Sequence, residues 1–389
     1  MPISDFRSRI DRRVTLRIVL LALTIRVVSA ILALLINITF PPDRPLQFTV
    51  FTDPSPFWDT FARYDSGYFQ GIAWDGYSPA AGGRSNIAYF PVYPMLIRFV
   101  GRLFGRHHAT YYLAAIAIAW VSFVLAMVVL YRLARLDVPR RPAERSVLLT
   151  AIFPFAFFFG VAYSESTFLL FALLAFYLFR VRRWMLGGIC GAVATATRVP
   201  GIMMLPALAW IAWRNAVDRR ERALAVAGLA LAASGFTSYC VYIYFLTGHP
   251  FEWAATLQRW GYYPGGAPWL APVRLARNLA THPYLYLTTD QMAPYDALYG
   301  TTGLLFGVAT PFVWHRFGAA YGLFMLMNLW LPLSSGVFEG VGRYCSVLFP
   351  CFIWLATIRS RWVGTAIIVV FAMFYTLGLA LFTTIHPLF

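Results

Sequence analysis

The chain has 389 residues, 60% of them hydrophobic and only 12% charged, with a mean hydropathy of +0.64. Soluble domains carry about a quarter charged residues, so this composition excludes an ordinary soluble globule and makes the bilayer the main solvent. The net charge of +16 fits orientation-setting loops on a membrane protein, and a nucleic-acid partner is set aside.

Crossing the hydrocarbon core takes about 20 apolar residues as a helix, and runs of roughly that length recur from end to end. They predict an all-α polytopic membrane protein forming a single transmembrane domain over 1–389. About eleven spans are expected, near 14–40, 110–134, 147–162, 166–180, 184–197, 200–213, 223–246, 297–314, 317–335, 344–358 and 362–385. The first follows an Arg-rich flank and is too long for a cleaved signal peptide, so it is expected to remain as an anchor.

The segment 41–109 between the first two spans is a large loop, rich in acids and aromatics. Amphipathic helices lying in the interface are expected there, with 91–105 the clearest. Within it Asp65 sits among aromatic residues. A carboxylate held there can accept a proton from a bound hydroxyl, and the competing reading is a solvated or helix-capping group. Asp53, Asp59 and Asp75 are secondary candidates. His107 and His108 are adjacent, cannot share a helix face, and make poor metal ligands.

Further along, the Arg-rich segments 135–145, 180–183 and 214–222 fall on one side only if the apolar stretches between them fold back as hairpins. With the hairpins, most arginines lie inside and the positive-inside rule is obeyed. The N-terminus is then cytoplasmic, and both large loops, 41–109 and 247–296, are extracytoplasmic, as are most of the acids. The hairpins put Glu165 and Arg198 at outer turns, and Arg343 opens the span 344–358 on that same side. A guanidinium at such a position either grips phosphate oxygens in bidentate fashion or snorkels to lipid headgroups. Glu165, between Ser164 and Ser166, either orders an arginine, binds an acceptor or caps a helix.

Trp58, Tyr64, Tyr68, Trp74, Trp253, Trp260, Tyr262, Tyr263 and Trp269 populate the outer loops. Such rings can stack on sugars, and the membrane aromatic belt accounts for many of them equally well. His249 and His282 read as incidental loop residues. Cys190, Cys240, Cys345 and Cys351 lie in or beside apolar runs, without the spacing of a disulfide framework or a zinc site. No phosphate-binding loop, dinucleotide fingerprint, metal cluster or nucleophile elbow is present in the sequence, so neither metal nor cofactor is expected. All 32 basic residues are arginine, a codon bias that points to a bacterial source and hence to its cytoplasmic membrane.

Several ordered motifs resemble the PIG-V family of mannosyltransferases and its bacterial homologues. They are Arg63-Tyr64-Asp65-Ser66-Gly67-Tyr68-Phe69, Ile72-Ala73, Gly76-Tyr77, Phe90-Pro91-Val92-Tyr93-Pro94, Tyr163-Ser164-Glu165-Ser166, Ala194-Thr195-Ala196-Thr197-Arg198-Val199-Pro200-Gly201 and Arg343-Tyr344-Cys345-Ser346-Val347-Leu348-Phe349-Pro350. Tyr64 stands where the family usually has Trp, and Val199-Pro200 where Pro-Asn is common. The resemblance implies a GT-C-like fold and a polyprenyl-phosphate sugar donor. It also implies a catalytic aspartate in the first extracytoplasmic loop, matched here by Asp65.

The expected activity is therefore inverting sugar transfer, as a mannosyltransferase, to a glycan, glycolipid or protein acceptor. Asp65 would act as base and Arg198 and Arg343 would hold the donor phosphate. Glu165, Tyr64, Tyr68, Tyr93 and Asp75 would support the site or bind the acceptor. The alternatives are a lipid or solute transporter or flippase, and a non-catalytic partner of another transferase. Transporters often show internal repeats with broken helices in corresponding halves, and no clear repeat is present.

Overall fold

The computed structural model describes residues 12–40, 56–79, 85–262, 266–288, 294–386 and 388. Every regular element among them is helical. In chain order these are α1 (Arg12–Thr39), α2 (Pro56–Phe61), α3 (Asp65–Asp75), α4 (Val92–Phe104), α5 (His108–Ala134), α6 (Arg140–Ala151) and α7 (Glu165–Arg180). Next come α8 (Trp184–Thr195), α9 (Pro200–Met203), α10 (Leu205–Asn215), α11 (Arg219–Thr247), α12 (Glu252–Arg259) and α13 (Leu270–Thr281). The chain closes with α14 (Pro283–Thr288), α15 (Pro294–Phe317), α16 (Ala319–Leu333), α17 (Val341–Ser346), α18 (Phe349–Ala356) and α19 (Arg361–Thr383).

Five helices, in α1, α5, α11, α15 and α19, are long and apolar enough to cross a membrane. Their outer faces carry exposed large apolar side chains such as Leu16, Val121, Val226, Leu305 and Met373, the inverse of a soluble surface. The remaining apolar segments are shorter or broken. The chain is an all-α, multi-pass membrane protein.

The breaks have local causes. The run 147–162, expected as one span, is helical only to Ala151, because Pro154 removes a backbone donor, and a 3₁₀ turn, Ala156–Gly160, follows. The freed carbonyls of Ala151 and Ala156 accept hydrogen bonds of 3.0 and 2.8 Å from the guanidinium of Arg26 on α1. Arg26 is fully buried, with the rings of Phe123 and Tyr375 4.5 and 5.9 Å away. Its charge is thus met by the negative end of α6 and by aromatic faces. The run 344–358 is likewise divided at Val347 and Leu348 into α17 and α18, with Pro350 in the first turn of α18.

The Arg-rich segments 135–145, 180–183 and 214–222 meet, as the expected hairpins require. α7 and α8 are joined by a short turn, and Arg180 and Arg182 near that turn pair with Asp137 and Glu221. Arg145 donates to Ile358 O at 3.1 Å. The Arg-rich turns therefore gather at one end of the bundle. α8 and α11 pack closely through glycines: a Cβ at Gly188 would meet Gly228 O at 2.5 Å, and one at Gly235 would meet Ala192 O at 1.9 Å. Small residues that let backbones approach are the usual means of helix association in lipid.

The described residues of the first large loop form α2, α3 and α4, the last of them amphipathic as expected. α4 buries Tyr93, Pro94, Ile97 and Gly101 and turns Phe99, Leu103 and Phe104 outward. Cys240, Cys345 and Cys351 are buried free thiols, and Cys190 is free and half-buried.

Candidate active site

Four charged side chains from four distant parts of the chain meet at the end opposite the Arg-rich turns. Asp65 opens α3, where an acid faces the positive end of the helix dipole. Glu165 opens α7 in the same way. Arg198 lies in the turn between α8 and α9, whose first residue is Pro200, and Arg343 lies in α17, which begins after Gly340 at φ +73°.

Arg343 is the hub. Its Nη1 donates to Asp65 Oδ2 at 2.7 Å and its Nε donates to Glu165 Oε1 at 2.8 Å. Arg198 pairs with the same Oε1 of Glu165. The order Asp65, Arg343, Glu165, Arg198 is a ladder of alternating charge with no net charge. Side-chain exposure falls from 20% at Asp65 to 11% at Arg343 and 0% at Glu165, with Arg198 at 13%. Glu165 Oε2 is buried without a hydrogen-bond partner. The guanidinium of Arg343 lies over Tyr163 and Phe158, 4.7 and 5.0 Å from the ring centroids, and that of Arg198 lies 5.6 Å from the Tyr344 ring.

Asp65 is held from three sides. Tyr89 donates its hydroxyl to Asp65 Oδ1 at 2.9 Å, and the backbone N–H of Asp65 points to the Tyr163 hydroxyl at 3.4 Å. Burial, then the adjacent Asp65 charge, push the Tyr89 pKa well above its usual value, so this phenol stays a donor at neutral pH. The preceding residue, Tyr64, has φ 49° and ψ −113°, a strained setting for a side-chain-bearing residue. Its hydroxyl donates to His386 O at 2.7 Å and its ring packs on Phe382 at 5.6 Å, which pins the turn that aims Asp65.

Other predicted residues fall elsewhere. Tyr68 stacks on Tyr89 at 4.8 Å, at the rim of the ladder. Tyr93 is fully buried and spends its hydroxyl on Ala115 O at 2.9 Å. Asp75 is exposed at the far end of α3, about 15 Å along the helix from Asp65 at 1.5 Å per residue. Asp53 and the side chain of Asp59 lie outside the described residues. His108 contacts Gln70 and Trp74 instead of a metal site. Among the described residues no group of His, Cys, Asp and Glu has the arrangement of a metal site.

Sequence reasoning missed Tyr89 and Tyr163 as site residues, although Tyr163 stands inside a quoted motif and Tyr89 immediately precedes one. It also left Trp260 and Tyr262 undistinguished among many loop aromatics. Tyr262 lies within electrostatic reach of Asp65 and Arg343 and bonds Glu339, and burial followed by Glu339 raises its pKa.

The model of the dolichyl-phosphate-mannose-protein mannosyltransferase family matches residues 88–242, less than half of the chain but including Tyr89, Glu165 and Arg198. No curated protein matches the chain. Among solved structures, ArnT from Cupriavidus metallidurans, bound to undecaprenyl phosphate, aligns over 96% of this chain and 76% of its own, with 12% identity and a TM-score of 0.50. The Archaeoglobus fulgidus oligosaccharyltransferase, tethered to an acceptor peptide, aligns over 95% of this chain and 55% of its own, at 14% identity and a TM-score of 0.46. The S. cerevisiae protein O-mannosyltransferase complex Pmt1-Pmt2, bound to the sugar donor, aligns over 60% and 34%, at 16% identity and a TM-score of 0.40. The chain spans about half the length of the oligosaccharyltransferase it matches. At such identities the likeness to ArnT is one of fold. The architecture is GT-C-like.

Proposed function

We propose that the chain is an inverting membrane glycosyltransferase that moves a sugar, mannose in the first instance, from a polyprenyl-phosphate donor to an acceptor hydroxyl. The observation that carries this reading is the ladder, which sets one partly exposed carboxylate against the Arg343 guanidinium and links it through Glu165 to a second, Arg198, at the loop end of the bundle. The partial match to a mannosyltransferase family supports it, and a transporter reading has no comparable support. The site faces the extracytoplasmic side of a bacterial cytoplasmic membrane, with a glycan, glycolipid or protein as acceptor.

In the reaction the acceptor oxygen attacks the anomeric carbon as the bond from that carbon to the phosphate oxygen breaks. The centre passes through an oxocarbenium-like state, as in glycoside hydrolysis. The hydroxyl proton goes to Asp65, the electron pair of the broken bond goes to the lipid phosphate, and the anomeric configuration inverts. A phosphate leaves readily, so no general acid is required. Arg198 and Arg343 stabilise the charge that grows on it.

Arg343 spends Nε and Nη1 on carboxylates and has further N–H groups to offer a phosphate. As Asp65 takes the proton, its hold on Arg343 weakens just as the phosphate's demand rises. The base and the leaving group are thereby coupled through one guanidinium. Glu165, fully buried between the two arginines, keeps them in register.

The test is transfer from polyprenyl-phosphate mannose in proteoliposomes. Asp65→Asn is expected to cut turnover by about 10² to 10⁴, the range of a general base. Turnover at the wild-type level would sink the base assignment.

A further inference from the structure

The second large loop brings an aromatic residue to the ladder that the chemistry above does not use. Trp260 follows α12, and its ring lies 5.4 Å from Tyr68 and 5.7 Å from Tyr89. Tyr68 and Tyr89 are themselves stacked at 4.8 Å with 16° between their planes. One hydrogen bond then leads from this trio to the carboxylate, from the Tyr89 hydroxyl to Asp65 Oδ1.

The face of α12 that carries Trp260 holds polar groups without partners. Trp260 Nε1 and Thr256 Oγ1 are both buried and make no hydrogen bond, and Thr256 is 0% exposed. Residues 256 and 260 are four apart and share one helical face, and α12 packs against the turn Asn86–Ala88 that precedes Tyr89. A buried donor left unmade costs about 1 to 3 kcal/mol, so two on one face favour a ligand that supplies acceptors. Tyr262, bonded to Glu339, lies within electrostatic reach of Asp65 and Arg343.

Flat rings beside an unused indole N–H suit one ligand chemistry well: an apolar C–H face with hydroxyls around its edge. Resting on the proposed transferase reading, we propose that Tyr68, Tyr89 and Trp260 form the platform for a pyranose ring at the reaction centre. The C–H face of the sugar lies on the rings, and a sugar hydroxyl accepts from Trp260 Nε1. The pyranose belongs either to the donor or to a carbohydrate acceptor, and the two sources separate in one binding experiment.

Full-length protein in nanodiscs is titrated with polyprenyl-phosphate mannose, sugarless polyprenyl phosphate and methyl α-D-mannopyranoside. Trp260→Ala is expected to weaken binding of a sugar-bearing probe about tenfold, the scale of one aromatic contact, and to leave sugarless lipid unchanged. Weakening of the mannosyl lipid alone assigns the platform to the donor, and weakening of the free glycoside alone assigns it to the acceptor. Weakening of both supports a shared platform. Trp260→Phe keeps a ring, removes the N–H, and should give a smaller loss; it carries the test if the alanine variant does not fold. Wild-type binding of both sugar probes by the folded variants overturns the platform. The transferase reading fails separately, if wild-type protein binds neither lipid, and the free glycoside then still tests the platform.

Discussion

Arg343 reaches two carboxylates through two nitrogens whose spacing is fixed by the planar guanidinium. Lysine offers a single ammonium and cannot hold both contacts in one geometry. Arg343→Lys is therefore expected to lower transfer by about 10- to 100-fold, the worth of one charged hydrogen bond, measured with the same lipid donor. Glu165→Gln removes the carboxylate that pairs with both Arg343 and Arg198 and leaves like charges facing each other in a buried setting. A loss of about 3 to 5 kcal/mol is expected from breaking such a pair, read as a lowered unfolding midpoint in detergent. Arg198, Arg343 and Glu165 stood out in the sequence because a charge beside apolar runs is conspicuous, and Asp65 was chosen among several loop acids by the motif it shares with the PIG-V family. Tyr89, Trp260 and Tyr262 were not, because 18% of the chain is aromatic and nothing in a linear reading singles out one ring. The Tyr89 hydroxyl meets Asp65 only because the loop doubles back between them.

Among the helices, the breaks matter more than the spans. The hairpin around Arg198, with Pro200 beside its turn, followed from charge parity, whereas the sequence reading takes 344–358 as one span although Pro350 stands in it. The break after Ala151 was passed over although Pro154 stands in the run 147–162, and the partner that donates to its freed carbonyl, Arg26, is 125 residues away. Close packing between α8 and α11 was equally hidden, because glycine in an apolar run does not announce its neighbour. Gly188→Ala would drive a Cβ to 2.5 Å from Gly228 O, a backbone atom that cannot swing aside. A destabilisation of about 1 to 3 kcal/mol is expected, visible as a fall in the thermal midpoint of the purified protein.

Among the described residues, the ladder and the Arg-rich turns lie at opposite ends of the bundle. The end opposite the ladder has its own cluster: Arg180 donates to both oxygens of Asp137, at 2.7 and 3.1 Å, and Tyr321 donates to Asp137 Oδ2 at 2.8 Å. It binds the turn after α5 to α7 and α16 far from the ladder. Asp137→Asn should therefore lower the unfolding midpoint while leaving turnover per folded molecule near wild type, and a selective loss of turnover would show that the two ends communicate. The ladder itself is assembled from residues 65, 165, 198 and 343, and the strained Tyr64 turn is fastened to the carbonyl of His386. During synthesis, Glu165 and Arg198 must therefore enter the membrane long before Arg343 exists to join them. A nascent chain cannot assemble the four-residue ladder until residue 343 has been inserted, so translation itself times the appearance of the complete site.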